Sequence, residues 1–183
     1  FWDGRRRFPF ASSLTAGLDS AVSLRAVLGP RWLKGLPRYL LATLREIAAL
    51  RTWAVQVRTD GALVHDGAAL FVSALNTPTY GSGMPAVPHA RIDDGALDIL
   101  IAGEFSRLGT ARMLPRLLVG RHLDDRRVRT RQFVTLEVDA TTEVPIAGDG
   151  EPAGAARSWT VTTLRAALPV VRRTAAAATM PAS

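Results

Sequence analysis

After residue 52 the chain changes its hydrophobic period, and that change limits the fold more than any other feature. From Trp53 onward, Trp53, Val55 and Val57 alternate with Ala54, Gln56 and Arg58, the period-two pattern of a half-buried strand. Aspartate–glycine pairs punctuate the chain at Asp3, Asp60, Asp66, Asp94 and Asp149. Between strand-like runs, as at Asp60-Gly61, such a pair predicts a hairpin, because a type I′ turn needs positive φ at both central residues. The runs 69–76 (ALFVSALN) and 96–103 (ALDILIAG) are apolar on both faces and read as central strands. Arg131 to Ala140 alternates as one strand, with Phe133 outside the register of Val134, Leu136 and Val138.

Three segments read as helices. Phe8 to Gly17 is strand-like and leads into Leu18 to Leu28, which Gly29-Pro30 closes because proline lacks the donor and clashes with the preceding turn. In Arg38 to Leu50, Leu40, Leu41, Leu44, Ile47 and Ala48 fall at helical spacing. They predict a buried stripe, with Arg38, Arg45 and Glu46 outside. Ser106 caps a third helix through Leu118, with Leu108, Met113, Leu114, Leu117 and Leu118 as its apolar face, a bend at Pro115 and an end at Gly120. Strands and helices do not alternate as a doubly wound sheet requires. The expected class is therefore mainly β (α+β): a β-sandwich with about three helices. The expected folded unit is 1–173, and the low-complexity stretch 174–183 is expected to be a disordered tail.

At 183 residues, with 48% hydrophobic and 21% charged residues, the chain has the size and composition of one globular domain. Cysteine is absent, which excludes a disulfide framework and a thiolate zinc site. The net charge of +7 is carried by arginine, with Lys34 the single lysine. The clusters Arg5-Arg6-Arg7, Arg126-Arg127 with Arg129 and Arg131, and Arg172-Arg173 are either solvated surface or a face toward anionic lipid headgroups. They are not interleaved with aromatics, so no nucleic-acid partner is expected. No apolar run reaches the roughly 18 residues of a membrane span and no signal peptide opens the chain. Phe1 to Phe10 mixes aromatic and basic residues in the manner of a chain interior, so the sequence reads as a fragment.

Carboxylates carry the candidate chemistry. If Ile146 to Pro152 is extended, Asp149 and Glu151 point to one face, with Gly150 leaving room between them. Paired or partly buried carboxylates have raised pKa values and become competent bases near neutrality; a plain hairpin turn is the alternative. In Arg91-Ile92-Asp93-Asp94-Gly95-Ala96-Leu97-Asp98, clustered carboxylates beside free main-chain carbonyls suit Mg²⁺ or Ca²⁺, or form a self-capping turn. Tyr80-Gly81-Ser82-Gly83-Met84-Pro85 lacks the third glycine and the following helix of a phosphate-cradling loop, and reads better as a loop at a substrate cleft or a surface turn than as a nucleotide site. His65, His89 and His122 share no metal-ligand spacing, and no serine carries nucleophile-elbow glycines.

Taken in order, these marks form a set. Gly17-Leu18-Asp19 turns into a helix, Asn76 ends a strand, and Gly81, Gly83 and Met84 lie in a loop. Then come Pro88, Asp93-Asp94-Gly95, Leu97-Asp98, the helix from Ser106-Arg107 to Gly120-Arg121-His122, and Asp149-Gly150-Glu151. The set, over Ser12 to Val171, resembles the C-terminal domain of the diacylglycerol kinase and sphingosine kinase-like lipid kinases. The resemblance implies a two-domain enzyme whose N-terminal nucleotide domain carries a Gly-Gly-Asp-Gly-Thr loop. This sequence lacks that loop, so the fragment alone is expected to be inactive.

By the resemblance, Asp149 is the base for the lipid hydroxyl, and Glu151 orients it or holds the catalytic Mg²⁺. Asp94 is the ligand of a structural Mg²⁺, helped by the carbonyls of Arg91 and Ala96. The implied reaction is transfer of the γ-phosphoryl group of ATP to diacylglycerol or a related lipid. The implied protein is cytoplasmic and peripheral to the membrane. The competing reading is a non-catalytic β-sandwich module that binds a lipid or a protein, as an inactive or truncated kinase relative would.

Overall fold

A computed structural model describes residues 1–169 except positions 5, 31, 34, 81 and 82. The tail expected at 174–183 and the centre of the Tyr80–Gly83 loop fall outside the described residues. The elements are β1 (Ser13–Gly17), α1 (Leu18–Leu28), α2 (Leu36–Ala48), β2 (Trp53–Thr59), β3 (Ala62–Leu75), β4 (Leu97–Gly103), α3 (Arg107–Leu118), β5 (Val128–Phe133), β6 (Thr135–Gly148) and β7 (Glu151–Thr162). All pairings are antiparallel within one sheet of seven strands. Mainly β with three helices, it agrees with the fold class the periodicity implies.

The organising feature is a shared slot. β3 and β6, each 14 residues long, are too long to be paired on their inner edges by one short strand. β2 pairs with Ala62–Ala69 of β3 and Leu136–Ala140 of β6. β1 pairs with Phe71–Leu75 of β3 and Ile146–Gly148 of β6. Two segments far apart in sequence thus lie end to end in one position, and α1 and α2 are the excursion between them. Outside this slot, β7 extends the sheet beyond β6, and β4 then β5 extend it beyond β3.

The sheet curls so that its edges share one core. Phe133 of β5 and Trp159 and Val161 of β7 are buried with Val55, Val57, Ile99, Ile101, Leu136 and Ile146. Each such aliphatic or aromatic side chain contributes about 1.5–3 kcal/mol by leaving water. Leu75 and Leu100 point the other way, onto Ala86, Val87 and Ala90 of the loop between β3 and β4. The both-faced apolar pattern of β4 has this cause: its alternate residues serve different clusters. His122, buried with Nε2 2.8 Å from the Ala86 carbonyl, ties that loop to the turn after α3; burial lowers its pKa.

Several expectations are corrected. The alternating run Arg131–Ala140 is two strands, because a bend at Val134 carries the chain from pairing with β4 to pairing with β2; Phe133 belongs to β5, which is why it breaks the register. In α2 the predicted stripe is split. Ala42 and Ile47 are buried, but Leu40 and Leu44 are 51% and 60% exposed, while Glu46 is buried and paired with Arg25 of α1. An ion pair to the neighbouring helix thus takes the inward position that periodicity assigned to leucine. Leu108 and Leu118 of α3 are exposed too, since α3 covers a smaller patch of sheet than its composition suggests. Among the described residues, no helix is long and apolar enough to cross a membrane.

Gly17, where β1 becomes α1, has φ +103°, and a Cβ there would sit 2.5 Å from the Leu70 carbonyl oxygen. That backbone approach lets β1 lie against β3 while the chain turns out of the sheet. Gly17→Ala is expected to cost about 2–4 kcal/mol through strain and overlap, read as a thermal midpoint lowered by roughly 5–15 °C.

Candidate active site

The Asp149-Gly150-Glu151 segment is not extended. β6 ends at Gly148 and β7 begins at Glu151, paired with each other across a two-residue turn. Asp149 and Gly150 have φ of +48° and +86°, the type I′ pattern that asparagine, aspartate and glycine tolerate. The extended geometry that would aim both carboxylates at one face is therefore absent, and a tight hairpin takes its place.

The Asp149 carboxylate is occupied. Its Oδ2 accepts the Ala11 N–H at 2.8 Å, and its Oδ1 accepts those of Ser12 at 2.8 Å and Ser13 at 2.9 Å. Its own N–H donates to the Ser13 carbonyl at 2.8 Å. The turn thus clamps the segment entering β1. On the other side of that segment, the Asn76 side-chain amide donates to the Ala11 carbonyl at 2.9 Å, and Ser12 and Thr77 hydroxyls meet at 2.9 Å. Asn76 and Asp149, far apart in sequence, therefore flank the same three residues. Glu151 differs: it is exposed, and its side chain makes no hydrogen bond or ion pair among the described residues.

A second turn in the molecule explains which of these features the fold requires. Asp60-Gly61, between β2 and β3, has φ of +50° and +80°. The Asp60 carboxylate accepts the N–H groups of Val134 and Thr135, and its N–H donates to the Thr135 carbonyl at 2.8 Å. Aspartate and glycine thus perform the same bracing in both turns. The residue after them is Ala62 in one and Glu151 in the other. Bracing does not account for Glu151.

The second acidic group lies at the same end of the sheet. Pairing aligns Ser13 of β1, Leu75 of β3, Asp98 of β4 and Gln132 of β5 in one row. Three strand spacings separate the Asp149 turn from Asp98, about 14 Å. Asp94 Oδ1 accepts the Ala96 N–H at 3.0 Å and Oδ2 the Gln132 side-chain amide at 2.8 Å. Arg91 reaches Asp93 at 3.5 Å, an exposed and therefore weak pair. Asp98 is buried, with His89 Nε2 3.2 Å from Oδ1 but no aligned hydrogen bond there. Burial raises its pKa; His89 opposes that rise and the Asp94 charge adds to it. Among the described residues no three histidine or acidic side chains converge as a metal site. A cation at Asp94 would need main-chain carbonyls, as the assignment of Arg91 and Ala96 requires, and Asp94 keeps a lone pair on each oxygen for it.

One partly buried carboxyl escaped the sequence analysis as a site residue. Asp19, in the first turn of α1, accepts the Tyr80 hydroxyl at 3.0 Å and the Ser73 hydroxyl at 3.4 Å. Burial raises its pKa to about 6, against the lowering effect of those two bonds, and the Tyr80 hydroxyl is pushed up by burial and the Asp19 charge. The Gly-x-Asp entry to α1 was its signal, since Gly17 turns the helix start back over β3. A cavity of about 310 Å³ lined by Ser106, Arg112, Met113, Arg116 and Arg127 includes none of the expected site residues.

A family model described as the YegS C-terminal NAD kinase beta sandwich-like domain matches residues 12–172. No curated protein matches. Three solved structures from Bacillus anthracis str. Sterne share the fold, one described as a diacylglycerol kinase and two provisionally so. Their TM-scores are 0.61, 0.57 and 0.55 at 18%, 19% and 20% identity, each covering 85% of this chain. The chain spans 50% of the length of each.

Two predictions follow from the geometry. Asp149→Ala leaves three N–H groups without their acceptor and is expected to destabilise by about 2–3 kcal/mol, whereas Glu151→Gln stays within about 0.5 kcal/mol, both by denaturant unfolding. Asp19 has a folded pKa above its unfolded value, so it favours the folded state below about pH 4 and loses that contribution as pH rises through 6. Asp19→Asn should therefore gain on the parent by about 2 kcal/mol between pH 4 and pH 8; parallel stability–pH curves would refute this.

Proposed function

The chain belongs to the YegS C-terminal NAD kinase-like β-sandwich family, and from that premise we propose that it forms the substrate-side half of an ATP-dependent lipid kinase. The substrate is the free hydroxyl of diacylglycerol or a related lipid. The observation that carries the reading is Glu151: an exposed carboxylate without a partner, beside a turn braced by four hydrogen bonds to main-chain groups of residues 11–13. The fold makes no use of that side chain, and the turn restrains its backbone.

The turn divides the roles. Asp149, expected from the resemblance to be the base, already directs both oxygens at main-chain donors, and protonating it would weaken the clamp on β1. Glu151 can accept a proton without structural cost. In the proposed step, the lipid O–H gives its proton to Glu151 as the oxygen attacks the γ-phosphorus of ATP. The bond from that phosphorus to the bridging oxygen breaks, and ADP leaves. Asp149 holds the turn and contributes negative charge beside the acceptor. Transfer of this kind depends mainly on positioning and charge neutralisation, which suits a carboxylate on a restrained turn.

The nucleotide would be held by the rest of the parent protein, for this chain has no Gly-Gly-Asp-Gly-Thr loop. Mg²⁺ would neutralise phosphate charge at the transfer site. A second Mg²⁺ at Asp94, with the carbonyls of Arg91 and Ala96, would act structurally, since Asp94 precedes β4, whose Asp98 is separated from the Asp149 turn by about 14 Å of sheet. The competing reading, a non-catalytic lipid- or protein-binding module, draws on the Asp60 turn, where the same aspartate geometry occurs with no neighbouring acid.

The test is transfer of labelled phosphate from ATP to diacylglycerol and related lipids in mixed micelles by the full-length protein. Glu151→Gln is expected to lower the rate by about 10²–10⁴-fold with unchanged thermal stability. Asp149→Asn should lower rate and stability together. Transfer that survives Glu151→Gln would remove the proposed base, and a folded parent inactive on every lipid would favour the binding module.

A further inference from the structure

The arginine cluster at 126–131 does not act as one surface. Arg129 serves the fold, its Nη1 donating to the Val64 carbonyl at 2.8 Å, whereas Arg127 lines the cavity of about 310 Å³ beside α3. There it is held from two sides. Its Nε and Nη2 donate to the two oxygens of Asp125 at 2.9 and 2.8 Å, and its guanidinium carbon lies 4.0 Å from the centre of the buried Phe105 ring. A guanidinium has five N–H groups. Those not bonded to Asp125 remain for a ligand, on a head group with little freedom left to lose on binding.

Arg112 and Arg116, one turn apart on α3, line the same cavity. Like charges at that spacing slightly destabilise a helix, and α3 contains no acid to offset them. The fold makes little use of either. Arg112 makes no hydrogen bond or ion pair among the described residues, and Arg116 comes only within 4.0 Å of Asp124, an exposed and therefore weak pair. Among the described residues, Asp125 is the one acid in the lining, and both its oxygens are directed at Arg127. Arg127 first, and Arg116 after it, hold the Asp125 carboxyl well below the usual carboxylate range. Three guanidinium groups thus stand against one carboxylate. Ser106 caps α3 by accepting the Gly109 N–H at 3.1 Å, so the surplus charge is that of side chains and not of an open helix end. Leu108 and Met113 supply the apolar part of the wall.

We propose that this cavity binds a phosphate dianion, either free or as the head of a small water-soluble phosphomonoester: Arg112, Arg116 and Arg127 hold the phosphate oxygens, and the carbon skeleton of an ester lies against Leu108 and Met113. Planar guanidinium groups match phosphate oxygens in geometry as well as in charge. A dianion offsets the positive charge that remains when Asp125 is set against three arginines. The volume of about 310 Å³ stands at the lower end of the roughly 300–1,000 Å³ of small-molecule sites, which suits a ligand of a few carbons. The site is separate from the carboxylate turn. α3 follows β4 at Gly103, the opposite end of that strand from Asp98 and about 17 Å along it, so the proposal does not rest on the lipid-kinase reading.

The experiment is calorimetric titration of the full-length protein with glycerol phosphate and with inorganic phosphate at physiological salt, where attraction between exposed charges is screened. Saturable binding at one site is expected. Equal affinity for the two probes assigns the free ion, and tighter binding of glycerol phosphate assigns the ester. Arg112→Ala with Arg116→Ala should weaken binding about tenfold or more, since hydrogen bonds between charged groups are the strong ones. The same pair should leave the thermal midpoint of the ligand-free protein unchanged or slightly higher. Leu108→Glu, which brings a negative charge to the wall at an exposed position, should weaken binding as well. Arg45→Ala with Arg51→Ala, which removes equal charge from exposed positions in and after α2, should not. Binding that survives both Arg112→Ala with Arg116→Ala and Leu108→Glu overturns the proposal by placing the phosphate elsewhere in the parent. Binding weakened equally by the two arginine pairs overturns it in favour of net charge alone. Absence of binding by both soluble probes overturns it too, and sedimentation with phosphatidate vesicles in that case would assign the arginines to a lipid surface instead.

Discussion

Two long strands with one shared inner slot set the rest of the structure. An unpaired backbone edge in the middle of a sheet strands N–H and C=O groups that water cannot reach. β3 and β6 avoid this only because β1 and β2 fill the slot end to end. The chain must therefore leave the sheet at Gly17 and return at Trp53, and a helical hairpin is a compact way to cover that excursion while satisfying its own backbone. The same constraint makes the entry to β1 critical. A five-residue strand has few ladder bonds of its own, so the Asp149 carboxylate and the Asn76 amide supply the polar contacts that fix where it starts.

Two aspartate–glycine turns meet this demand in the same way. Each uses left-handed backbone to expose the aspartate carboxylate sideways, toward the first N–H groups of a neighbouring strand. An internal control of this kind distinguishes what folding needs from what it does not. Asp60 shows that the aspartate of such a turn can be wholly structural. Ala62 shows that the third position has no structural need for an acid, which is where Glu151 stands apart.

The strand-rich class, the helices and the hairpin at Asp60-Gly61 were legible in the sequence because period and turn chemistry are local. The slot was not, since end-to-end sharing of one position by β1 and β2 is settled by the lengths of β3 and β6. Nor was the division of α2: Leu40 and Leu44 sit at spacing that fits a core, but Arg25 of another helix draws Glu46 inward and turns them out. At the site, the residue types of Asp149-Gly150-Glu151 were readable, but their roles were not. Positive φ at Asp149 and its three donors arise from contact with residues 11–13, which no pattern near position 149 contains. Asp19 was hidden for the same reason, its partners Ser73 and Tyr80 lying on another strand and a loop.

The two acidic groups share one end of the sheet yet cannot share one task. With about 14 Å of sheet between the Asp149 turn and Asp98, a single ion coordinated at 2.0–2.6 Å reaches one or the other. Asp94 and Asp98 lie where β4 begins, beneath the loop that packs on Leu75 and Leu100, so charge neutralised there would steady that loop. Glu151 lies at the turn that starts the edge strand β7 and faces water, so charge there remains available to whatever approaches the sheet end. The chain spans half the length of its structural relatives, and on this half the Glu151 carboxylate stands open to solvent at the sheet end.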